Sequence, residues 1–218
     1  MLTFGIGPPC GTLETFWGGG GMHRDRIKEL HYITPKENLR SIGTFGILSH
    51  IEAERLDHKS VAWEVIQDLR KGKSVPGGNL LHSYANLYFD ARNPMMSKLL
   101  YDGKTGLVVL RVRHEVLDLP NVVITDGNAA SGPTRFLSAP QGLDYLDENR
   151  VFAEYWTHAD VIEYHERKRQ RCAEVLVPTR VLPDYINGCY TLSESDQRWC
   201  VDSQPSWKVE VNKSVYLR

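Results

Sequence analysis

Long apolar runs are missing from this sequence. No stretch approaches the roughly 18 residues of a membrane-spanning helix, and the start, MLTFGIGPPC, has neither a basic segment nor an apolar stretch of the secretory kind. A cytoplasmic protein with no membrane association is therefore expected. Cysteine is scarce: Cys10, Cys172, Cys189 and Cys200 lie too far apart for a zinc knuckle, and no CxxC or HExxH occurs, so reduced structural cysteines and no metal are expected. The glycine-rich start, GIGPPCG followed by WGGGG, lacks the GK[ST] that a Walker loop requires, and no GxGxxG appears anywhere. An excess of one charge is absent too. With 26 Lys and Arg against 27 Asp and Glu the net charge is -1, which excludes a chain that binds nucleic acid by bulk charge but leaves room for a local basic patch. One such patch exists, EYHERKRQR at 163–171.

What is present is the composition of a globular domain. The 218 residues are 41% hydrophobic and 24% charged, and a chain of this size buries roughly 70% of its extended surface on folding. Residues 1–29 read as a glycine-rich arm or loop and residues 30–218 as a single domain. LHYIT at 30–34 predicts a strand, with a helix from Pro35 through Ile42 stopped by Gly43. The clearest helix runs from Ser60 to Arg70, where Val61, Val65 and Leu69 recur at helical spacing, and the turn-rich loop KGKSVPGGN follows it. The segment up to Phe89 predicts a strand, Pro94 opens a helix through Leu100, and LVVLRV, VVIT, EVLVP and WKVEV predict four more strands. Strands without regular alternation with helices predict an α+β fold rather than a doubly wound sheet.

Several residues stand out for their chemistry. Glu174 opens an apolar strand directly after a basic helix, where a carboxylate faces a cleft from a sheet rim and can hold a sugar hydroxyl during transfer at an anomeric carbon; the structural alternative is a strand-end pair with Arg171. Arg70 ends a helix before the Gly/Pro loop, a place suited either to clamping a pyrophosphate or simply to the helix dipole. Tyr32 and Thr34 share one strand face while His31 points to the other. Tyr84, Tyr88 and Phe89 are candidates for stacking on a planar ring or for the sheet core. In the basic run, Arg167, Lys168, Arg169 and Arg171 spiral around a helix, some to track phosphates and some to be solvated.

Four blocks, LHYITPKENLRSI, GGNLLHSYANLYFDARNPM, VVITDGNAA and RKRQRCAEVLVP, in this order and spacing, resemble the DarT family, the DNA-targeting ADP-ribosyltransferase toxins of DarT-DarG toxin-antitoxin systems. The resemblance covers residues from about 30 to 190. It implies an ADP-ribosyltransferase-like split, mostly antiparallel sheet with packed helices around an NAD cleft. NAD is then the co-substrate, thymine or guanine of single-stranded DNA the acceptor, and a macrodomain antitoxin of the DarG type the partner of an expected monomer. Glu174 resembles the catalytic glutamate, and Arg70 the arginine closing the helix before the VP/GG loop, although the family's arginine pair is Leu69-Arg70 here. Thr34 and Asn38 resemble cofactor-pocket residues; Arg92 and Met95 match the family's PRSPM, written ARNPM in this chain; Tyr84, Tyr88 and Phe89 would shape the cofactor pocket. The family's YHIT is HYIT here, so either Tyr32 takes the histidine's place or a local register change admits His31, and Tyr32 is preferred. Asn128 falls near the substrate end, and the loop from Ser131 to Arg150, with Arg135, Tyr145 and Arg150, is expected to hold the displaced base. Open alternatives are a relative that acts on RNA, protein or a small molecule or only hydrolyses NAD, and a non-enzymatic nucleic-acid-binding module.

Overall fold

The computed structural model describes residues 21–56, 58–59 and 64–216. In chain order it contains β1 (Leu30–Pro35), α1 (Leu39–Phe45), β2 (Ile47–Leu48), α2 (His50–Ala53), α3 (Glu64–Lys71), β3 (Tyr84–Tyr88), α4 (Pro94–Tyr101), β4 (Leu107–Val112), β5 (Val123–Thr125) and β6 (Phe136–Ser138). There follow α5 (Glu148–Val151), α6 (Val161–Gln170), β7 (Glu174–Pro178), β8 (Arg180–Val181), β9 (Ile186–Thr191), α7 (Glu194–Ser203) and β10 (Lys208–Val211). Eight strands form one sheet in the order β10-β9-β4-β1-β3-β7-β5-β6, and β2 and β8 form a separate two-stranded ribbon. Within the large sheet every neighbouring pair is antiparallel except β9 and β10. The fold is α+β, as the sequence predicts.

Strand β4 is buried at five of its six positions, which explains its unbroken apolar run: both faces are covered. One face carries Leu30, Ala85, Leu87, Val108, Leu110, Val112, Val175 and Val177 into the main core. Ile33 and Val109 pack on the opposite face with Met96 and Leu99 of α4, whose opening is fixed by Pro94 and by the Asn93 side chain accepting from the Met96 N–H. The sheet is split at its centre. All of β1 pairs with β4, but β1 meets β3 only at His31 opposite Tyr88, so the two strands part beyond that point and leave a gap between them.

Some sequence expectations need correction. Residues 22–29, assigned to the arm, belong to the domain: Met22 and Ile27 are buried in the main core. Residues 1–20, with most of the glycine-rich start, and the first turn expected of the helix at 60–63 lie outside the described residues. Gly43 does not stop α1, which runs to Phe45 and ends at Gly46, where φ is 83° and an added Cβ would lie 2.0 Å from the Val181 carbonyl oxygen. The residues before Tyr84 form a 3-10 turn over Leu81–Ser83 rather than strand. Cys172, Cys189 and Cys200 are free and buried, and no helix among the described residues is long and apolar enough to cross a membrane.

Candidate active site

Glu174 is the first residue of β7, the strand hydrogen-bonded between β3 and β5, and only 1% of it is exposed. Its backbone N–H donates to Thr125 Oγ1 at 3.0 Å, while its carboxylate accepts from Arg70 Nη1 at 3.1 and 3.3 Å and from the Ala129 N–H at 2.8 Å. Three separate pieces of chain, the end of α3, the start of β7 and the loop after β5, therefore meet at one buried carboxylate. The tie to Ala129 is local in origin: Asn128 Oδ1 accepts from the Ala130 N–H at 2.8 Å, which curls the loop and turns the Ala129 N–H inward.

In front of this pair lies a cleft of about 600 Å³. Tyr32, Ile33 and Thr34 of β1 all line it, beyond His31, the one position at which β1 pairs with β3. Tyr84, Asn86, Tyr88, Met95 and Cys172 also line it, as do Asn128 and Arg169, with the exposed His165 and Lys168 at its mouth. Arg70 forms part of the wall, with Glu174 directly behind it. Of the Leu69-Arg70 pair, Arg70 is the one turned inward; Leu69 stands at the rim, 56% exposed. Asn38 serves two neighbours: Nδ2 donates to Thr34 Oγ1 at 3.0 Å and to the Lys59 carbonyl at 2.7 Å, and Oδ1 accepts from the Lys59 N–H at 3.0 Å. It thus pins residues 58–59 over the cleft. Tyr88 donates its hydroxyl to Met95 Sδ at 2.9 Å, and burial, reinforced by the Glu174 charge, pushes its pKa well up. Burial raises Tyr32 as well, so both phenols stay protonated and neutral at ordinary pH.

Other predicted residues fall elsewhere. His31 is outside the cleft: Nε2 lies 3.3 Å from Glu29 Oε1, and Nδ1 is buried with no partner among the described residues. Tyr32 lines the cleft, and so does Ile33, on the strand face that His31 shares. Phe89 belongs to the main core, not to the cleft. Arg92 lies at the surface, 3.7 Å from Glu154. Arg171, expected to touch DNA, is 2% exposed and spent internally: it donates to the Ala153 and Val151 carbonyls and to Asp90 Oδ2 at 2.7 to 2.8 Å. Arg135 pairs with Asp126 at 2.7 Å and reaches the Tyr145 carbonyl, leaving the Tyr145 ring exposed. Arg150 and Arg167 share Glu163, at 2.5 and 2.8 Å. Of the basic run, Lys168 and Arg169 line the cleft, and the Lys168 ammonium lies 5.7 Å from the Tyr164 ring centre.

Sequence reasoning missed four contributors. Lys73 donates to the Ser131 carbonyl at 2.5 Å and lies over the Phe136 ring, and burial together with the Arg70 charge lowers its pKa. His50 and His82 stack at the cleft wall with ring centres 4.3 Å apart, and Asn86 faces the same space. Only the fold brings these residues together; nothing in the spacing of KGK sets Lys73 apart from Lys71. Among the described residues no group of three or more His, Cys, Asp or Glu could hold a metal ion.

A family model described as "ssDNA thymidine ADP-ribosyltransferase, DarT" matches residues 31–215. Among curated proteins, the chain is 37% identical over 170 residues to a DNA ADP-ribosyl transferase–DNA ADP-ribosyl glycohydrolase fusion protein of Thermosipho africanus, covering 76% of this chain and 42% of that one. It is 32% identical over 161 residues to a DNA ADP-ribosyl transferase of a Thermus species, covering 68% of this chain and 73% of that one. Among solved structures, Thermosipho africanus DarTG in complex with ADP-ribose superposes with a TM-score of 0.76 at 30% identity, over 87% of this chain and 51% of that one. Thermus sp. 2.9 DarT in complex with ADP-ribosylated ssDNA shares the fold, with a TM-score of 0.77 at 23% identity over 91% of this chain and all of that one. The chain thus spans about half, or less, of the Thermosipho africanus protein it matches.

Proposed function

The chain belongs to the DarT family, and from that premise we propose that it transfers the ADP-ribosyl group of NAD to thymine in single-stranded DNA, as the toxin of a toxin-antitoxin pair. The observation that carries the proposal is the buried Glu174 carboxylate, held by Arg70 and by the Ala129 N–H at the back of the cleft. A cleft of about 600 Å³ lies within the ordinary range for a pocket that encloses a small organic molecule, roughly 300 to 1,000 Å³. Its neutral phenols, amide and guanidinium suit a dinucleotide with a sugar at one end and a pyrophosphate at its middle. NAD supplies the activated glycosidic bond and nicotinamide as the leaving group.

Glu174 accepts a hydroxyl of the reacting ribose and stabilises positive charge developing at its anomeric carbon. The same carboxylate is assigned as the base that takes the proton of the thymine N–H as it becomes the nucleophile. Arg70 acts on the pyrophosphate through its planar fork, and moving it toward phosphate uncovers the carboxylate behind it. Tyr32, Tyr88 and Met95 confine the nicotinamide end and exclude water; Thr34 and Asn38 hold the cover over the cofactor; Asn128 stands at the acceptor end. A macrodomain antitoxin of the DarG type is the expected partner, in the cytoplasm, for a monomeric toxin. The test is to incubate the purified chain with labelled NAD and single-stranded oligonucleotides with and without thymine, then read adducts by mass spectrometry. Transfer restricted to thymine-containing strands is the expected result. Transfer to RNA or protein only, or release of free ADP-ribose with no adduct, would replace the substrate assignment.

A further inference from the structure

Tyr155 keeps 64% of its surface in solvent although it lies on a well-anchored stretch of chain. The anchor is Arg171. Its three bonds to Ala153, Val151 and Asp90 bolt the base of the 152–160 loop to the turn before α4, and the other Asp90 carboxylate oxygen accepts from the Arg92 N–H at 2.9 Å. One buried guanidinium thereby ties the backbone two residues before Tyr155 to the turn that carries Arg92, and the Arg92 guanidinium carbon lies 5.6 Å from the Tyr155 ring centre. This assembly adjoins the cleft along the chain, although neither the Tyr155 ring nor the Arg92 guanidinium lines it. Two residues beyond Arg92, Pro94 and then Met95 line the cleft, and the same loop leads on the other side into α6, whose Lys168 borders the mouth.

We propose that Tyr155 and Arg92 form a stacking platform for a nucleobase flanking the modified thymine. The inference rests on single-stranded DNA being the substrate. A phenol ring held open beside a cation matches an unpaired base joined to a phosphate: the base lies on the ring, and Arg92 exchanges its 3.7 Å contact with Glu154 for the phosphate or the base face. Because every base presents a π-face, the platform grips the strand without reading its sequence. A folded protein partner would instead require the ring to enter an apolar socket, and the charged flank of Glu154 and Arg92 argues against that.

The experiment measures steady-state transfer to a single-thymine oligonucleotide and to a set in which each neighbouring nucleotide in turn is abasic. Tyr155→Ala is expected to raise the KM for the intact strand about tenfold, with the loss falling on KM rather than kcat, and Tyr155→Phe to restore it. One abasic position should reproduce the same loss in the wild-type protein, and on that strand Tyr155→Ala should add nothing further. Wild-type KM in Tyr155→Ala on intact strands, or equal losses on every abasic strand, would overturn the platform. Failure of the wild-type protein to modify any single strand would instead overturn the substrate assignment, and is seen before any variant is made.

Discussion

At the scale of single residues, the buried Arg70–Glu174 pair sets what each substitution can report. Glu174→Gln keeps the shape and one acceptor oxygen but loses the charge, so transfer should fall by roughly 10²-fold or more while the fold persists. Glu174→Ala is a different experiment. It leaves the Arg70 cation buried opposite a hole, which costs about 3–5 kcal/mol when one member of a buried pair is removed. Glu174→Gln removes the same charge, so urea unfolding of each variant against the wild-type chain should show that loss, and wild-type stability in both would mean that the pair is not formed in solution. Glu174 stood out in the sequence as a carboxylate opening an apolar strand, with a strand-end pair to Arg171 as the structural alternative. Its partner did not: Arg171, three residues away, was the local choice, yet sheet pairing turns Arg171 toward the 151–153 carbonyls and brings in Arg70 from 104 positions earlier. The HYIT order was readable only in part: alternation separates His31 from Tyr32, but Ile33, on the His31 face, lines the cleft as well.

Between elements, two ties carry consequences that no single strand or helix predicts. Lys73 links the loop after α3 to the 128–131 loop that donates to Glu174. Lys73→Met should therefore lower transfer to DNA by about tenfold, more than it lowers NAD hydrolysis, with Lys73→Arg recovering much of it; parallel losses in both activities would rule out this positioning role. On the far side of the sheet, Glu29 accepts from Arg111 of β4, which also reaches Glu210 of β10. Burial works to raise the Glu29 pKa, but bonds from His31, Arg111 and Tyr190 outweigh it and hold the carboxyl down at about 2, from an ordinary 4.5. A depressed folded pKa stabilises the fold above the unfolded value, and that contribution disappears as pH falls from about 4.5 toward 2. After allowance for solvent screening it is on the order of 1–2 kcal/mol. Melting temperatures across that window should fall more steeply for the wild-type chain than for Glu29→Gln. Strand β9 explains why the sheet was only partly legible: INGCYT has no β-pattern, and Gly188 at φ 150° lies so close to β10 that an added Cβ would be 2.0 Å from the Lys208 carbonyl oxygen. Pairing, not propensity, makes it a strand.

For the whole molecule, the net charge of -1 and the pairing of its cations bear on how a polyanion is held. The basic helix looks like a phosphate track in sequence, but its arginines are committed: Arg169 to Asp126 and Glu166, Arg167 to Glu163, Arg171 to backbone carbonyls and Asp90. Each such pair spends on a carboxylate the charge that would otherwise release a counterion from DNA. Lys168, at the cleft mouth, is the member of the run best placed to meet a phosphate. For single strands, the slope of log affinity against log salt is about -0.7 per phosphate contact. Lys168→Ala should thus make the slope shallower by about 0.7 and weaken all sequences alike, whereas Arg167→Ala should leave it nearly unchanged. Arg171→Ala should act on stability, through the two carbonyls and the carboxylate it leaves unpaired, rather than on salt dependence. Binding measured at several salt concentrations separates these cases, and an Arg167→Ala slope as shallow as that of Lys168→Ala would show that the Glu163 pair opens to the strand. With so few contacts of this kind, affinity should survive added salt better than for a protein that follows the backbone by charge, because stacking of a base on Tyr155 releases no counterion.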